Sequence, residues 1–293
     1  MMKKHEPRRI VIVGSLNADL VVQTERFPQP GETLPGGDLT ILPGGKSANQ
    51  VVAAARLGGE VHMVGAVGAD GNGSLLLESL MQAGVDVSRV KVRADVPTGT
   101  AVILVDGVGE NIIVVSPGAN GTLAPGDMTT DAFDDAAILG LCLEIPMETV
   151  MRAASLAKEA GVTVMTNLSP YRDVPQELLD NTDILLVNEH EAARLGDHGV
   201  ARTIVTRGSS GVTVIDGDNA SVNLPAVPVE AVDTTGCGDA FMGALARQLA
   251  DGASLTDAAR YATGVGAVAA TRRGAQASYP TEAELEVFLA ARS

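Results

Sequence analysis

The chain contains the stretch VDTTGCGDAFMGAL at residues 232–245, in which two glycines precede a helical apolar pattern. Glycines before a helix let backbone N–H groups converge on an anion, and the helix dipole adds partial positive charge there. Asp239 lies beside this predicted anion site. A carboxylate placed there suits a base that deprotonates a hydroxyl as the hydroxyl attacks a phosphoryl group. The alternative is that Asp239 only caps or lines the first helical turn, and this stretch alone does not decide between the two.

The composition favours a globular α/β protein and disfavours several classes of partner. A hydrophobic content of 45% over 293 residues supplies a core for one large domain. The net charge of −15 disfavours nucleic acid or an anionic membrane surface as a main partner, but an acidic protein can still bind ATP locally, where backbone amides and Mg²⁺ supply the counter-charge. Cys142 and Cys237 are too few for a disulfide framework, and the short apolar run after a polar N-terminus fits neither a signal peptide nor a membrane span. We therefore expect a soluble cytoplasmic protein with small-molecule partners.

The first sixty residues predict a buried strand, a polar loop and a glycine-led helix. The run RIVIVG at 9–14 predicts a strand of a mostly parallel sheet, and the glycines of a dinucleotide-binding loop do not follow it. Asn17 and Asp19 come next, where open α/β sheets bind ligands, although such residues also serve simple turns. The sequence GGKSANQ at 44–50 opens an Ala-rich helix. It ends like a Walker A loop, but Thr40 stands where that motif needs glycine.

The remaining pattern predicts a doubly wound sheet and a small flap. Further strands are expected at 60–68, 138–143, 162–167, 184–187 and 203–206, with a hairpin of 211–215 and 220–224 around a turn at 216–219. Further helices are expected at 74–83, 147–160, 189–195, 239–250, 255–270 and 281–291. The alternation of strands and helices implies a doubly wound, mostly parallel sheet flanked by helices. Short strands at 20–24, 32–42, 101–105 and 112–115 predict a small antiparallel flap outside that sheet.

With these segments placed, the sequence resembles the ribokinase family of carbohydrate and nucleoside kinases. Two motifs carry the resemblance, GGKSANQ at 44–50 and DTTGCGD at 233–239, and they occur in the family's order. Shorter matches extend it almost end to end: GSLNAD at 14–19, PGET at 30–33 and TRRGAQ at 271–276. The resemblance implies a single ribokinase-like α/β domain over residues 1–293, with a β-sheet lid from about 18–43 and 98–116. Since lids of this family clasp each other, it also implies a homodimer.

The resemblance also implies roles for the residues that bind sugar and carry the reaction. Asp239 is the expected base, and the backbone amides of Gly236, Cys237 and Gly238 are the expected anion hole. The positions that hold the sugar correspond to Asn17, Asp19, Gly45, Lys46, Asn49 and Glu144, together with Asp239. Carboxylates and amides together suit vicinal hydroxyls, which both donate and accept hydrogen bonds. The implied reaction is phosphorylation of the primary hydroxyl of D-ribose by ATP, giving ribose 5-phosphate.

The same resemblance implies nucleotide and metal sites. Asn188 and Glu191 match an Asn-x-x-Glu motif that helps to place Mg²⁺ through its water shell, although the pair also fits a helix cap. The residues implied for ATP are Asn188, Glu191, Thr206, Gly208, Ser209, Gly211, Gly238 and Thr263, the last of these in the adenine pocket. The residues implied for an activating monovalent cation, usually K⁺, are Asp233, Thr235, Ala269, Arg272, Gly274 and Ser278.

Three departures from the family pattern and two alternatives accompany this interpretation. Ser47 replaces a usual Gly and Cys237 a usual Ala, both small enough to be tolerated. The segment 189–202 has room for one short helix where relatives usually have a longer segment. The same chemistry on deoxyribose, fructose, keto-deoxygluconate or a nucleoside such as pseudouridine stays open, although the few aromatic residues disfavour nucleosides. A sugar or nucleotide sensor without turnover is the other alternative, but it has no need of Asp239 as a base.

Overall fold

The computed structural model of the chain describes residues 9–217 and 221–292, so part of the predicted turn at 216–219 and the predicted strand start at residue 220 lie outside the described residues. The strands in these ranges are β1 (Arg9–Val13), β2 (Asn17–Gln23), β3 (Thr40–Gly44), β4 (Val61–Gly68), β5 (Asp86–Arg93), β6 (Gly99–Val105), β7 (Asn111–Ser116), β8 (Ala136–Leu141), β9 (Thr163–Asn167), β10 (Ile184–Asn188), β11 (Arg202–Thr206), β12 (Val212–Asp216) and β13 (Val222–Leu224). The helices are α1 (Lys46–Arg56), α2 (Gly71–Gln82), α3 (Met147–Glu159), α4 (Gln176–Asp180), α5 (Glu189–Leu195), α6 (Cys237–Ala250), α7 (Leu255–Ala270) and α8 (Glu282–Ala290). None of the helices in these ranges is long and apolar enough to cross a bilayer.

The main sheet grows outward in both directions from β1. Its order is β13-β12-β11-β10-β9-β8-β1-β4-β5, and every pairing from β11 to β5 is parallel. The chain builds one edge and then returns to build the other, so its crossover helices cover both faces. Accordingly, Ile10 and Ile12 of β1 enter the core under α1, α2, α6, α7 and α8, while Val11 and Val13 enter the core under α3, α4 and α5. The predicted doubly wound, mostly parallel sheet is confirmed.

A second sheet of four strands lies outside the main one, in the order β3-β2-β6-β7. β2 and β6 pair in parallel, whereas the β2–β3 and β6–β7 pairs are antiparallel. The predicted small sheet outside the main one is confirmed, but it is not purely antiparallel, because a long crossover through the main sheet, rather than a hairpin, joins β2 to β6. The strand predicted at 32–42 is also too long. Only Thr40–Gly44 forms β3, and Pro35 and Gly36 interrupt the segment before it.

Three further predictions made from local sequence need correction. β5 was missed, because its alternating polar and apolar residues form an edge strand with few buried positions. α2 begins at Gly71 rather than at 74, because the Asp70 side chain accepts a hydrogen bond from the Gly73 N–H at 2.7 Å and caps the helix. α6 begins at Cys237 rather than at 239, directly after a left-handed turn at Gly236.

The packing of α1 against α6 brings the two glycine motifs together. Gly243 of α6 faces α1, and a Cβ atom there would lie 2.4 Å from the carbonyl oxygen of Gln50 and 2.7 Å from the Cβ of Ala53. A larger residue would push the helices apart, so glycine permits the close approach. As a result, the side chains of Asn49 and Gln50 reach Asp239.

Candidate active site

The two glycines that precede α1 make room for Asn17 and Asp19 of β2. A Cβ atom on Gly44 would lie 2.1 Å from the Asp19 Oδ2 atom, so the carboxylate occupies the space that a side chain would fill. Gly45 has a φ of 91°, and a Cβ atom on it would lie 2.7 Å from the backbone nitrogen of Asn17. These predicted sugar-side residues therefore meet at the first turn of α1.

The loop before α6 holds backbone amides at the helix N-terminus. Gly236 has a φ of 73°, and its carbonyl oxygen accepts a hydrogen bond from the Tyr279 hydroxyl at 3.1 Å. In the part of the chain that the structure describes, no hydrogen bond engages the N–H groups of Gly236 and Gly238, while the Cys237 N–H donates to the Thr234 carbonyl at 3.2 Å. The N-terminus of a long helix with unpaired amides is suited to bind an anion.

Asp239 follows these amides, and its buried carboxylate is held by two side-chain amides from α1. Asn49 Nδ2 donates to Oδ2 at 3.0 Å, and Gln50 Nε2 donates to Oδ1 at 3.2 Å. Burial raises the pKa of Asp239, and the positive charge of Lys46 and the Asn49 hydrogen bond offset this only in part. The carboxylate is therefore more basic than an exposed aspartate, as a general base requires.

Lys46 and Glu144 complete the charged cluster around the base. The Ser15 hydroxyl and the Lys46 backbone N–H both donate to Glu144 Oε2, at 2.5 Å and 3.2 Å. Burial lowers the pKa of the Lys46 ammonium, but the carboxylates of Asp239 and Glu144 outweigh it, and the net pKa is raised. Lys46 therefore keeps its positive charge beside two carboxylates at neutral pH.

Both small departures from the family pattern fit their surroundings. The Ser47 hydroxyl lies 2.9 Å from the Cys142 sulfur, and a Cβ atom on Gly14 would lie only 2.0 Å from that hydroxyl oxygen. The serine is thus accommodated because residue 14 has no side chain. Burial and two neighbouring carboxylates raise the pKa of the Cys237 thiol to about 11, so it is a neutral thiol at pH 7.

Asp19 titrates in the neutral range, and this predicts a pH-dependent effect on stability. Burial, followed by the charges of Glu144 and Asp239, raises the pKa of Asp19 from 3.8 to about 7. Because the folded-state pKa lies above the unfolded value, the ionised form destabilises the fold, fully above pH 7 and progressively less below it. We expect Asp19→Asn to raise the free energy of unfolding by about 2 kcal/mol at pH 8 and by less than half as much at pH 5.

Denaturant unfolding at these two pH values measures the effect, with Asp38→Asn in an exposed loop as the control. A gain that is equal at both pH values would contradict the assignment of the titration to Asp19.

A cavity of about 140 Å³ opens next to Asp239 on the side of the main sheet's carboxyl ends. The predicted residues that line it are Lys46, Asn188, Glu191, Thr206, Gly236, Gly238 and Asp239. Asn167 and Ser169 also line it and were missed, although Asn167 ends β9 and Ser169 follows it, at the edge where parallel sheets bind ligands. Asn188 Oδ1 accepts from the Glu191 N–H at 2.9 Å, and Glu191 Oε2 accepts from the Asn188 N–H at 2.8 Å. The helix cap foreseen for this pair is therefore present, and it faces the cavity.

The other nucleotide residues do not line this cavity. Gly208 and Ser209 form a short 3₁₀ turn after β11, and Gly211 ends it with a φ of 90°. The Thr263 hydroxyl donates within α7 to the Ala259 carbonyl at 2.8 Å. The Thr263 hydroxyl, expected to line the adenine pocket, thus already forms a hydrogen bond within its own helix.

The residues predicted for a monovalent cation lie on two adjacent segments: the loop at 232–236, and residues 269–278, which comprise the end of α7 and the loop after it. Asp233 joins the loops, since Oδ1 accepts from the Thr235 N–H at 2.9 Å and Oδ2 from the Gly274 N–H at 2.8 Å. Burial raises the pKa of Asp233, but these hydrogen bonds outweigh it, and the net pKa is lowered. Arg272 donates to the Ser278 carbonyl at 3.5 Å. Within residues 9–217 and 221–292, no group of three His, Cys, Asp or Glu side chains is placed to hold a metal ion.

The sequence is similar to known proteins over nearly its whole length. The sequence matches the family described as pfkB family carbohydrate kinase over residues 7–282. A ribokinase of Bacillus subtilis is 37% identical over 96% of this chain and 99% of that protein. A ribokinase of Mus musculus is 34% identical over 98% of this chain and 96% of that protein.

Solved structures agree with the fold. A ribokinase from Thermotoga maritima superposes with a TM-score of 0.89 at 34% identity, covering 97% of this chain and 99% of its own. A ribokinase from Arabidopsis thaliana, solved with ribose and ATP, has the same TM-score at 31% identity and the same coverage.

Proposed function

The chain belongs to the pfkB family of carbohydrate kinases, and from this we propose that it transfers the γ-phosphoryl group of ATP to the primary hydroxyl of D-ribose, giving ribose 5-phosphate. It is an ATP-dependent carbohydrate kinase. The ribokinases it resembles align over nearly their whole length, and one was solved with ribose and ATP. The observation that carries the assignment to particular residues is the carboxylate of Asp239, which contacts Asn49 and also lines the cavity with Lys46 and Glu191.

Asp239 acts as the base. It accepts the proton of the primary hydroxyl, the hydroxyl oxygen bonds to the γ-phosphorus, and ADP leaves. Charge develops on the oxygens of the transferring group, next to the unpaired N–H groups of Gly236 and Gly238 and the N-terminus of α6. The Cys237 N–H joins them by exchanging its long hydrogen bond to Thr234 for a charged acceptor. The proton on Asp239 passes to solvent after the products leave.

The sugar is held on the other side of the base. The residues proposed to bind it supply amide donors, carboxylate acceptors and one ammonium group. They are Asn17, Asp19, Gly45, Lys46, Asn49 and Glu144. Asp19 and Glu144 accept from ring hydroxyls, and Lys46 donates to them. Support comes from their placement around the first turn of α1, at the positions described above.

Mg²⁺ and K⁺ complete the proposed site. Asn188 and Glu191 would hold Mg²⁺ through water, and the ion would neutralise phosphate charge. Backbone carbonyls of these two segments would hold K⁺, and carbonyl oxygens suit that ion. The residues are Asp233, Thr235, Ala269, Arg272, Gly274 and Ser278. The rest of the ATP molecule would extend beyond the cavity. There it would contact the turn formed by Gly208, Ser209 and Gly211, and also Thr263.

The four-stranded sheet is the proposed lid over the sugar and the proposed contact of a homodimer. Its strands fall almost wholly within 18–43 and 98–116, and one face of it exposes the large apolar side chains of Ile41, Val102, Ile112 and Val114. An exposed apolar sheet face of this kind suits a second copy of itself. Light scattering at micromolar concentration tests the dimer, and a monomer mass would contradict it. A cytoplasmic location is proposed from the need for ATP and the two free cysteines, and cell fractionation tests it.

The function is tested by ADP release with Mg²⁺-ATP and K⁺ across ribose, deoxyribose, fructose, keto-deoxygluconate, adenosine and pseudouridine. We expect ribose to give the highest kcat/KM and replacement of K⁺ by Na⁺ to lower it by about tenfold or more. A preference for another acceptor would contradict the choice of sugar but keep the base. No turnover with any acceptor, while ATP binds, would favour a sensor.

A further inference from the structure

The hydrogen bonds around Asp239 extend to a glutamine in the loop after α7. Gln276 is only 6% exposed, and its Nε2 donates to the Asn49 Oδ1 atom at 3.1 Å. Its Oε1 accepts from the Ser79 hydroxyl at 3.1 Å, and its backbone carbonyl accepts from Arg56 at 2.7 Å. Every polar atom of this side chain that faces the site therefore has a partner.

The amide of Asn49 has two orientations, and its neighbours select one of them. With Nδ2 toward Asp239, the amide donates to the carboxylate, whereas the reverse orientation would set an oxygen against a negatively charged oxygen. Gln276 contacts Asn49 on the opposite side and offers an N–H, which only Oδ1 can accept. The donor from Gln276 thus favours the orientation that stabilises the ionised base.

The second donor to the carboxylate has no comparable support. Gln50 Nε2 binds Asp239 Oδ1, but Gln50 Oε1 is buried and has no hydrogen-bond partner among the described residues. No hydrogen bond among the described residues therefore fixes which end of the Gln50 amide faces Asp239. The Asn49 amide is held from both ends, so the geometry of the carboxylate depends mainly on it.

We propose that Gln276 is a positioning residue for the reaction, which acts through Asn49 to keep the Asp239 carboxylate ionised and oriented toward the sugar hydroxyl. This inference rests on the proposed function, because it takes Asp239 as the base. Under this proposal, the Gln276 side chain gives the loop at 271–278 a role in the reaction that does not depend on cation binding.

The test replaces Gln276 by methionine, which has a similar size and cannot form either hydrogen bond. We expect kcat to fall about tenfold and the ribose KM to change by less than about threefold. We also expect the acidic limb of the pH profile of kcat to move up by about half a pH unit. Without the hydrogen bond from Gln276, the Asn49 amide is a poorer donor to Asp239, and the ionised carboxylate is stabilised less. The other titratable groups near the base stay in place: Asp19, Lys46, Glu144, Cys237 and Tyr279.

Gln82→Met is the matched control, since Gln82 is exposed on α2 and its side chain donates to Glu78 on the same helix; we expect wild-type kinetics. Thermal unfolding monitors the folded state of both variants. If Gln276→Met does not fold, Ser79→Ala replaces it, because it removes only the hydrogen bond to Gln276 Oε1. An upward move of the acidic limb in Ser79→Ala supports the inference, and a wild-type pH profile overturns it.

The possible failures are distinguishable. A folded Gln276→Met variant with wild-type kcat and pH profile overturns the inference, as does one that loses thermal stability and kcat without any move of the acidic limb. In both cases the proposed function is still supported if the wild type releases ADP with ribose and the Asp239→Asn variant does not. A wild type without ribose-dependent ADP release overturns the proposed function itself.

Discussion

Asp239→Asn is expected to lower kcat by about 10³-fold or more, while ribose and ATP still bind. The new side chain keeps the shape of the carboxylate but cannot take the proton of the sugar hydroxyl. We expect the variant to fold. Its oxygen accepts from Asn49, and its nitrogen donates to the Gln50 Oε1 atom, which has no partner among the described residues, once the Gln50 amide turns over.

ADP release and calorimetric titration with ribose measure the two parts of this prediction. Asp180→Asn, at the exposed end of α4, is the matched control and should retain wild-type kcat. Turnover of the Asp239→Asn variant within about tenfold of wild type would show that another group removes the proton.

Gly236→Ala is expected to lower kcat by about 10²- to 10³-fold through loss of the anion hole. Residue 236 is left-handed, and an added Cβ atom would lie 2.5 Å from the Tyr279 hydroxyl and 2.7 Å from the Ala275 Cβ. Tyr279 is fully buried and cannot move aside. The loop must therefore shift, which displaces the amides that face the cavity and destabilises the fold by about 1–3 kcal/mol.

Gly252→Ala separates the clash from the backbone strain. Gly252 follows the other end of α6 with a φ of 87°, and an added Cβ atom there meets nothing within 4 Å. We expect it to lose about 1 kcal/mol of stability and to keep wild-type kcat, as measured by denaturant unfolding and ADP release. An equal loss of kcat in both variants would contradict the role of the Gly236 loop.

Local sequence predicted the elements whose burial is uniform. β1 is apolar and buried from Ile10 to Val13 because helices cover both faces of the sheet there, and α7 was predicted with the bounds that the structure has. β5 was missed because an edge strand buries few side chains, and the pairing of β2 with β6 was misjudged because it depends on where a long crossover returns. Both errors concern neighbours in space that are distant in sequence.

The sequence by itself determined the family, the positions of the glycines that shape the two loops, and the aspartate beside them, because turn conformation and helix starts are encoded within a few residues. Only the tertiary structure decided what holds that aspartate. Its donor Asn49 is 190 residues away in the sequence, and Gln276, which orients Asn49, is separated from Asn49 by 227 residues. Those contacts exist because Gly243 lets α1 and α6 approach closely, and no local pattern records the distance between two helices.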